Sequence, residues 1–167
     1  MVSSIPYSIF GRYADNRPAQ QRLIQVASHI GPKKGVSAIT EKNPDDVVVT
    51  CALRSALTKG GKGGFKDTAA ADILAGVFKG VIDRSGIDPS LVEDISVGTV
   101  LAPGGGATEF RAAALVAGFP ETTAVKGLNR QCSSGLQAIV DIANAIKTGM
   151  IEVGIGAGVE SMTSQYG

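Results

Sequence analysis

The chain has 167 residues, 44% of them hydrophobic and 19% charged, with no tryptophan; that is one globular domain's worth on a prior of ~100–200 residues per domain. Sixteen basic residues against fifteen acidic ones leave a net +1, which argues against a generic nucleic-acid surface. No apolar run nears the roughly 18 residues of a spanning helix, so neither nucleic acid nor membrane is expected as a partner.

The charge is unevenly spread. Residues 1–45 hold six basic side chains against three acidic ones, and they carry Pro18, Pro32 and Pro44 with Gly31 and Gly35 between. They lack a strong strand pattern and no secretory apolar core follows Met1, so 1–45 reads as a leader or linker and 46–167 as the folded domain.

From Asp46 strands and helices alternate. The β-branched run over 47–51 predicts a buried strand. A glycine- and lysine-rich loop over 58–64 follows, and Asp67-Thr68 offers a helix cap. Ile73, Leu74, Val77, Phe78, Val81 and Ile82 then recur at helical spacing until Gly86. A second strand is predicted over 95–101, a turn at Gly104, Gly105 and Gly106, and a second helix capped by Thr108 that holds Phe110, Ala113, Ala114 and Ala117 and stops at Gly118. Residues 124–128 form a third strand. Ser133 or Ser134 starts a third helix through Leu136, Ile139, Val140, Ala143 and Ile146, ended by Gly149. The fourth strand, over 153–159, is glycine-rich because something packs closely on it. It is apolar or glycine on both faces, so it belongs in a sheet covered on both sides; it is expected to stand at the sheet's end with unpaired backbone groups. The pattern βαβαβαβ defines an α/β fold with a mostly parallel sheet.

Two glycine clusters look like nucleotide loops and are not. In Lys59-Gly60-Gly61-Lys62-Gly63-Gly64, Ala56 stands where a P-loop needs its first glycine, and Gly63 stands where Ser or Thr should follow the lysine. Gly154-x-Gly156 lacks the third glycine of a dinucleotide fingerprint, since Val159 occupies that place. Both clusters read as turns and close packing.

The chemistry-bearing stretch is Asn129-Arg130-Gln131-Cys132-Ser133-Ser134-Gly135-Leu136-Gln137-Ala138, which joins a strand to a helix. The unpaired N–H groups and partial positive charge of a helix start favour a thiolate at Cys132. Gly135, one turn on, admits close approach, and the surroundings suit acyl transfer through a thioester. On these residues alone, a small core cysteine explains Cys132 as well. Cys51, inside a β-branched strand, fits that core role better. Two cysteines cannot build a disulfide framework and fit a reducing compartment as free thiols. With one histidine, His29, no metal site is expected.

The stretch over 129–138 resembles the active-site segment of thiolases. Gly64-Phe65-Lys66-Asp67-Thr68, Gly98-Thr99-Val100-Leu101, the run from Phe110 to Pro120 and Gly158-Val159-Glu160-Ser161-Met162 resemble further thiolase stretches in order. The resemblance runs from Asp46 to the C-terminus and is strongest to the 3-ketoacyl-CoA thiolases of fatty-acid β-oxidation. It implies a thiolase-like fold, of which this chain holds the first half, truncated before the CoA-binding loop domain. It also implies acetyl-CoA C-acyltransferase activity with Cys132 as nucleophile and its backbone N–H at the oxyanion. CoA and acyl-CoA are then the substrates, with no metal or organic prosthetic group, and the full-length enzyme is a homodimer. The resemblance names no CoA-contacting residue here. The family's activating histidine and second cysteine belong to the half not present, so this chain alone is expected to be inactive. The rival expectation is a non-catalytic import or interaction piece that pairs with a full-length subunit.

Arg22-Leu23-Ile24-Gln25-Val26-Ala27-Ser28-His29-Ile30 resembles an N-terminal peroxisomal targeting nonapeptide. On a helix Arg22, Leu23, Val26, His29 and Ile30 share one face, so an import receptor could read Arg22, Leu23, His29 and Ile30 together. Ile30 replaces the usual Leu or Ala. A mitochondrial presequence is the alternative.

Overall fold

In the computed structural model, residues 7–11 (as backbone), 23–24, 36 and 40–165 are described. Five strands form one sheet: β1 (Tyr7–Gly11), β2 (Val48–Leu53), β3 (Asp94–Gly98), β4 (Ala124–Leu128) and β5 (Val153–Gly158). Three helices connect them: α1 (Ala70–Ser85), α2 (Ala107–Ala117) and α3 (Ser134–Lys147). The strand order is β2-β1-β5-β3-β4. β3 pairs in parallel with β4 and β5, whereas β1 pairs antiparallel with both β2 and β5. Four strands therefore run one way and β1 runs against them. The α/β class with a mostly parallel sheet stands.

Alternation along β3 and β5 sends Ile95, Val97, Ile155 and Ala157 to one face. There they join Leu74, Val77 and Phe78 of α1 and Phe110, Ala113 and Ala114 of α2 in the main buried cluster. Phe78 also meets Phe119 edge-on, with ring centroids 5.7 Å apart. The opposite face, under α3, carries Ser96, Gly98, Gly154 and Gly156. A Cβ at Gly156 would come within 2.6 Å of Ile139 Cα, so the helix backbone rests almost on the strand. The close packing read from the glycines of 153–159 is borne out. Helix α1 ends as its sequence requires: Gly86 adopts φ +66° and its N–H donates to Ile82 O at 2.9 Å.

Several expectations are corrected. Tyr7–Gly11, within the stretch read as leader, is a strand in the sheet, so the fold includes residues ahead of Asp46. β5 is not an end strand; it is hydrogen-bonded on both sides, by β1 and β3. The strand predicted over 47–51 is not buried throughout. β2 is a sheet edge, with Val48 and Val49 about half exposed and Cys51 facing in. The second strand stops at Gly98, because residues 99–101 turn to meet a carboxylate described below. Neither Asp67 nor Thr108 caps a helix. Residues 65–68 form a turn closed by Thr68 N donating to Phe65 O, so α1 starts from Ala69. Helix α2 starts from Gly106, whose φ of +72° turns the chain into the helix one residue before Thr108. On α3 the buried residues are Ser134, Gly135, Ala138, Ile142 and Ile146, with Ile139 half-buried against β5, while Leu136 and Val140 of the predicted apolar series are exposed.

Candidate active site

Strand β4 ends at Leu128 and α3 begins at Ser134, leaving a five-residue turn centred on Gln131. Gln131 has φ +50° and is the one non-glycine among the described residues in the left-handed region, a conformation that costs roughly 1–2 kcal/mol for an L residue. Its backbone is held at both ends. Its N–H donates to Asn129 Oδ1 at 2.9 Å, and its carbonyl accepts from Ser134 Oγ at 2.6 Å and from Ser134 N at 3.0 Å. Ser134 Oγ in turn accepts from Arg130 N at 2.8 Å. Ser133 Oγ donates to Arg130 O at 2.9 Å and so does not cap the helix, although Ser133 is the residue from which α3 starts. A strained residue over-determined by its neighbours is a recurrent device at functional sites. Here the residue that follows it is Cys132, which is exposed at the start of α3.

The floor beneath this turn is glycine. Gly98, the last residue of β3, lies against the backbone of Ser134 and Gly135, and a Cβ there would collide with both. The first turn of α3 is thereby seated on the strand end, and Cys132 is fixed relative to the carboxyl edge of the sheet.

A second group of bonds ties the neighbouring loop. Glu160, two residues past β5, accepts from Thr99 Oγ1 at 3.0 Å, Val100 N at 2.7 Å and Leu101 N at 3.0 Å. Val100 O accepts from Asn129 Nδ2 at 3.3 Å. In the sequence Glu160 and Asn129 stand only as parts of motifs, with no function of their own. The available signal was the type of residue: a carboxylate directly after an apolar, glycine-rich buried strand needs donors, and an Asn two residues before a left-handed residue is set to form an Asx turn.

Cys51 is buried on β2, at the opposite edge of the sheet from β4. A cavity of about 400 Å³ lies between the end of β2 and α1, lined by Leu53, Phe65, Ile73, Gly76 and Gly80 among others; none of its walls belongs to the Cys132 turn. Of the targeting residues, Leu23 is helical and 70% exposed; Arg22, His29 and Ile30 lie outside the described residues.

A strand-to-helix cysteine seated on an α/β half-domain defines a class, and the comparisons with known proteins give the family. Residues 47–167 match the thiolase N-terminal domain. The chain belongs to the thiolase family. It is 57% identical over 148 residues to the peroxisomal 3-ketoacyl-CoA thiolase of Yarrowia lipolytica, covering 87% of this chain and 36% of that protein. It superposes with a TM-score of 0.73 and 49% identity on the peroxisomal 3-ketoacyl-CoA thiolase of Saccharomyces cerevisiae, over 75% of this chain and 37% of that one. That structure is described as five layers built from two core domains of identical topology, and a second structure of the yeast peroxisomal thiolase as dimeric. The Acat5 thiolase of Ascaris suum in complex with coenzyme A matches with a TM-score of 0.59 and 30% identity, over 62% of this chain and 27% of that one. The chain thus spans little more than a third of the length of the Yarrowia relative.

Proposed function

We propose that this chain is the nucleophile-bearing part of a 3-ketoacyl-CoA thiolase, an acetyl-CoA C-acyltransferase of β-oxidation, and that Cys132 carries the acyl group. The observation behind it is the exposed cysteine at the head of α3, next to a strained Gln131 that is hydrogen-bonded through both its N–H and its carbonyl. In the first half-reaction Cys132 Sγ, as thiolate, bonds to the keto carbon of a 3-ketoacyl-CoA. The tetrahedral oxyanion collapses, the bond between the second and third carbons breaks, and its electron pair leaves on acetyl-CoA, which takes up a proton. In the second, the thiol of a free CoA loses its proton, attacks the acyl carbon and expels the Cys132 thiolate. CoA is the co-substrate, with no metal or prosthetic group. The groups bonded around the turn are amides, hydroxyls and the Arg130 guanidinium, none a base at neutral pH. The base for Sγ and the acid for the departing carbon must come from elsewhere, so acyl capture is a fairer test of this chain than turnover. Incubation with acetyl-CoA should leave an acetyl group on the peptide that contains Cys132 and none on that containing Cys51. Acetylation of neither, or of Cys51 alone, would remove Cys132 from this role.

The complete enzyme is proposed to be a homodimer, which the dimeric yeast structure supports, and to bind CoA, supported by the Ascaris complex. Its place is the peroxisome, as in the names of the Yarrowia and yeast relatives, with an import receptor reading Arg22, Leu23, His29 and Ile30. Residues 1–45 are then a leader in the targeting sense even though Tyr7–Gly11 joins the sheet. A fluorescent protein carrying residues 1–30 should enter peroxisomes, and Arg22→Ala with His29→Ala should leave it in the cytosol; entry of the unaltered fusion into mitochondria would count for the alternative.

A further inference from the structure

We propose that Glu160 is a positioning residue for Cys132, acting through the 99–101 loop and Asn129; this rests on the acyl-transfer role proposed for Cys132. The bonds form one continuous path. Glu160 Oε2 accepts from Val100 N, Val100 O accepts from Asn129 Nδ2, and Asn129 Oδ1 accepts from Gln131 N, the strained residue that precedes the nucleophile. Thr99 N donates to Leu128 O and Val159 N to Gly98 O, both at 3.0 Å, so the ends of β3, β4 and β5 are already tied together beneath the path. What those ties leave undetermined is the height of Val100 above the sheet. The carboxylate sets it, by gathering three donors from successive residues onto two oxygens. Val100 in turn fixes the Asn129 amide, whose other end keeps Gln131 left-handed. Glu160 reaches Cys132 only through these groups and is not itself a catalytic residue.

Glutamine at 160 separates this from a generic charge effect. Its single oxygen can keep the Thr99 and Leu101 donors of Oε1. Its NH2 then faces Val100 N–H, donor against donor, at the one link that leads to Asn129. By field alone, removal of a negative charge would not slow alkylation of a thiol. Release of Val100 does slow it, because the thiol leaves its place at the helix start.

The test is iodoacetamide labelling of the 167-residue chain across pH, read by peptide mapping, with buried Cys51 as an internal reporter of the folded state. Glu160→Gln should slow Cys132 labelling about three- to tenfold, the range of one lost hydrogen bond, with Cys51 still protected. Asn129→Ala should slow it at least as much, and the double variant should be no slower than Asn129→Ala, since both cut one path. Glu160→Asp, which keeps two acceptor oxygens, should restore part of the rate. Unchanged or faster labelling in Glu160→Gln, or additive losses in the double variant, would overturn the proposal. So would Cys51 reacting alongside Cys132, either in the wild-type chain, where no built turn would then exist, or in Glu160→Gln, where the role would be global stability. If instead the labelling behaves as expected while acetyl-CoA leaves Cys132 unacylated, the positioning role stands and the acyl-transfer role falls.

Discussion

On the face of the sheet beneath α1 and α2, Ile95, Val97, Ile155 and Ala157 meet Leu74, Phe78 and Phe110 side chain to side chain. On the face beneath α3 the same two strands present Ser96, Gly98, Gly154 and Gly156; at Gly98 and Gly156 the α3 backbone lies where a side chain would be, and at Gly154 the Ile142 side chain does. The two faces hold their helices by different means and to different tolerances. Interdigitated side chains change rotamer and share out a misfit, so the first face supplies stability from apolar burial. Backbone resting on backbone has no rotamer to give, so the second face fixes α3 in place, and α3 begins one residue after Ser133 and two after Cys132. The glycines of this face bury little of their own, and the apolar side chains there come from the helix, as Ile142 and Ile146.

One carbon atom tests the contrast. Gly156→Ala adds a methyl that would stand 2.6 Å from Ile139 Cα and 2.9 Å from Ile139 N. Relief needs the whole of α3 to move, so unfolding in urea should show a loss of about 3 kcal/mol or more, and Cys132 labelling should slow as the turn shifts. Ile95→Val removes one carbon from the opposite face. Ile95 is wholly buried, yet the same measurement should show only about 0.5–1.5 kcal/mol, with Cys132 labelling unchanged. Equal losses from the two variants, or a faster loss of labelling in Ile95→Val, would erase the distinction between the faces.

The same contrast bears on what the sequence could disclose. Helix α1 and the glycines of β5 were legible because each carries its reason locally, a 3.6-residue apolar repeat in one and an impossibility of side chains in the other. The strand Tyr7–Gly11 was not, since five residues are too few for a period to show and its place depends on β2 and β5 lying 37 or more residues away in the chain. Strand order was hidden for the same reason: nothing in 153–158 says that β1 will pair on one side and β3 on the other. At the site, Cys132 stood out by residue type at a strand-to-helix junction. The Glu160 path did not, because Val100 and Glu160 are 60 residues apart and only the pairing of β3 with β5 brings them together. Caps were misread at Asp67 and Thr108 because a preceding turn and the left-handed Gly106 already set where the helices start.

The smallest effect is expected where neither face is touched. Asp88 begins the short 3-10 turn Pro89–Leu91 that leads into β3 at the end remote from Cys132. Its Oδ1 accepts from Ser90 N at 2.9 Å, and the Ser90 backbone and side chain hold its carboxyl below the ordinary carboxylate range. A carboxyl whose folded-state value is lowered favours the folded state above its unfolded value of about 3.9, and that contribution fades as pH falls through the lower folded value. Because the group is fully exposed, water screens the effect and it stays small. Thermal unfolding of Asp88→Ala should therefore show a melting temperature slightly below wild type at pH 7, with the gap closing as the pH is taken well into the acid range. Cys132 labelling in the variant should match wild type at every pH. A gap that persists in acid would mean that Asp88 acts by something other than its charge, and slowed labelling would mean that the entrance of β3, as well as its glycine exit, helps to place the thiol.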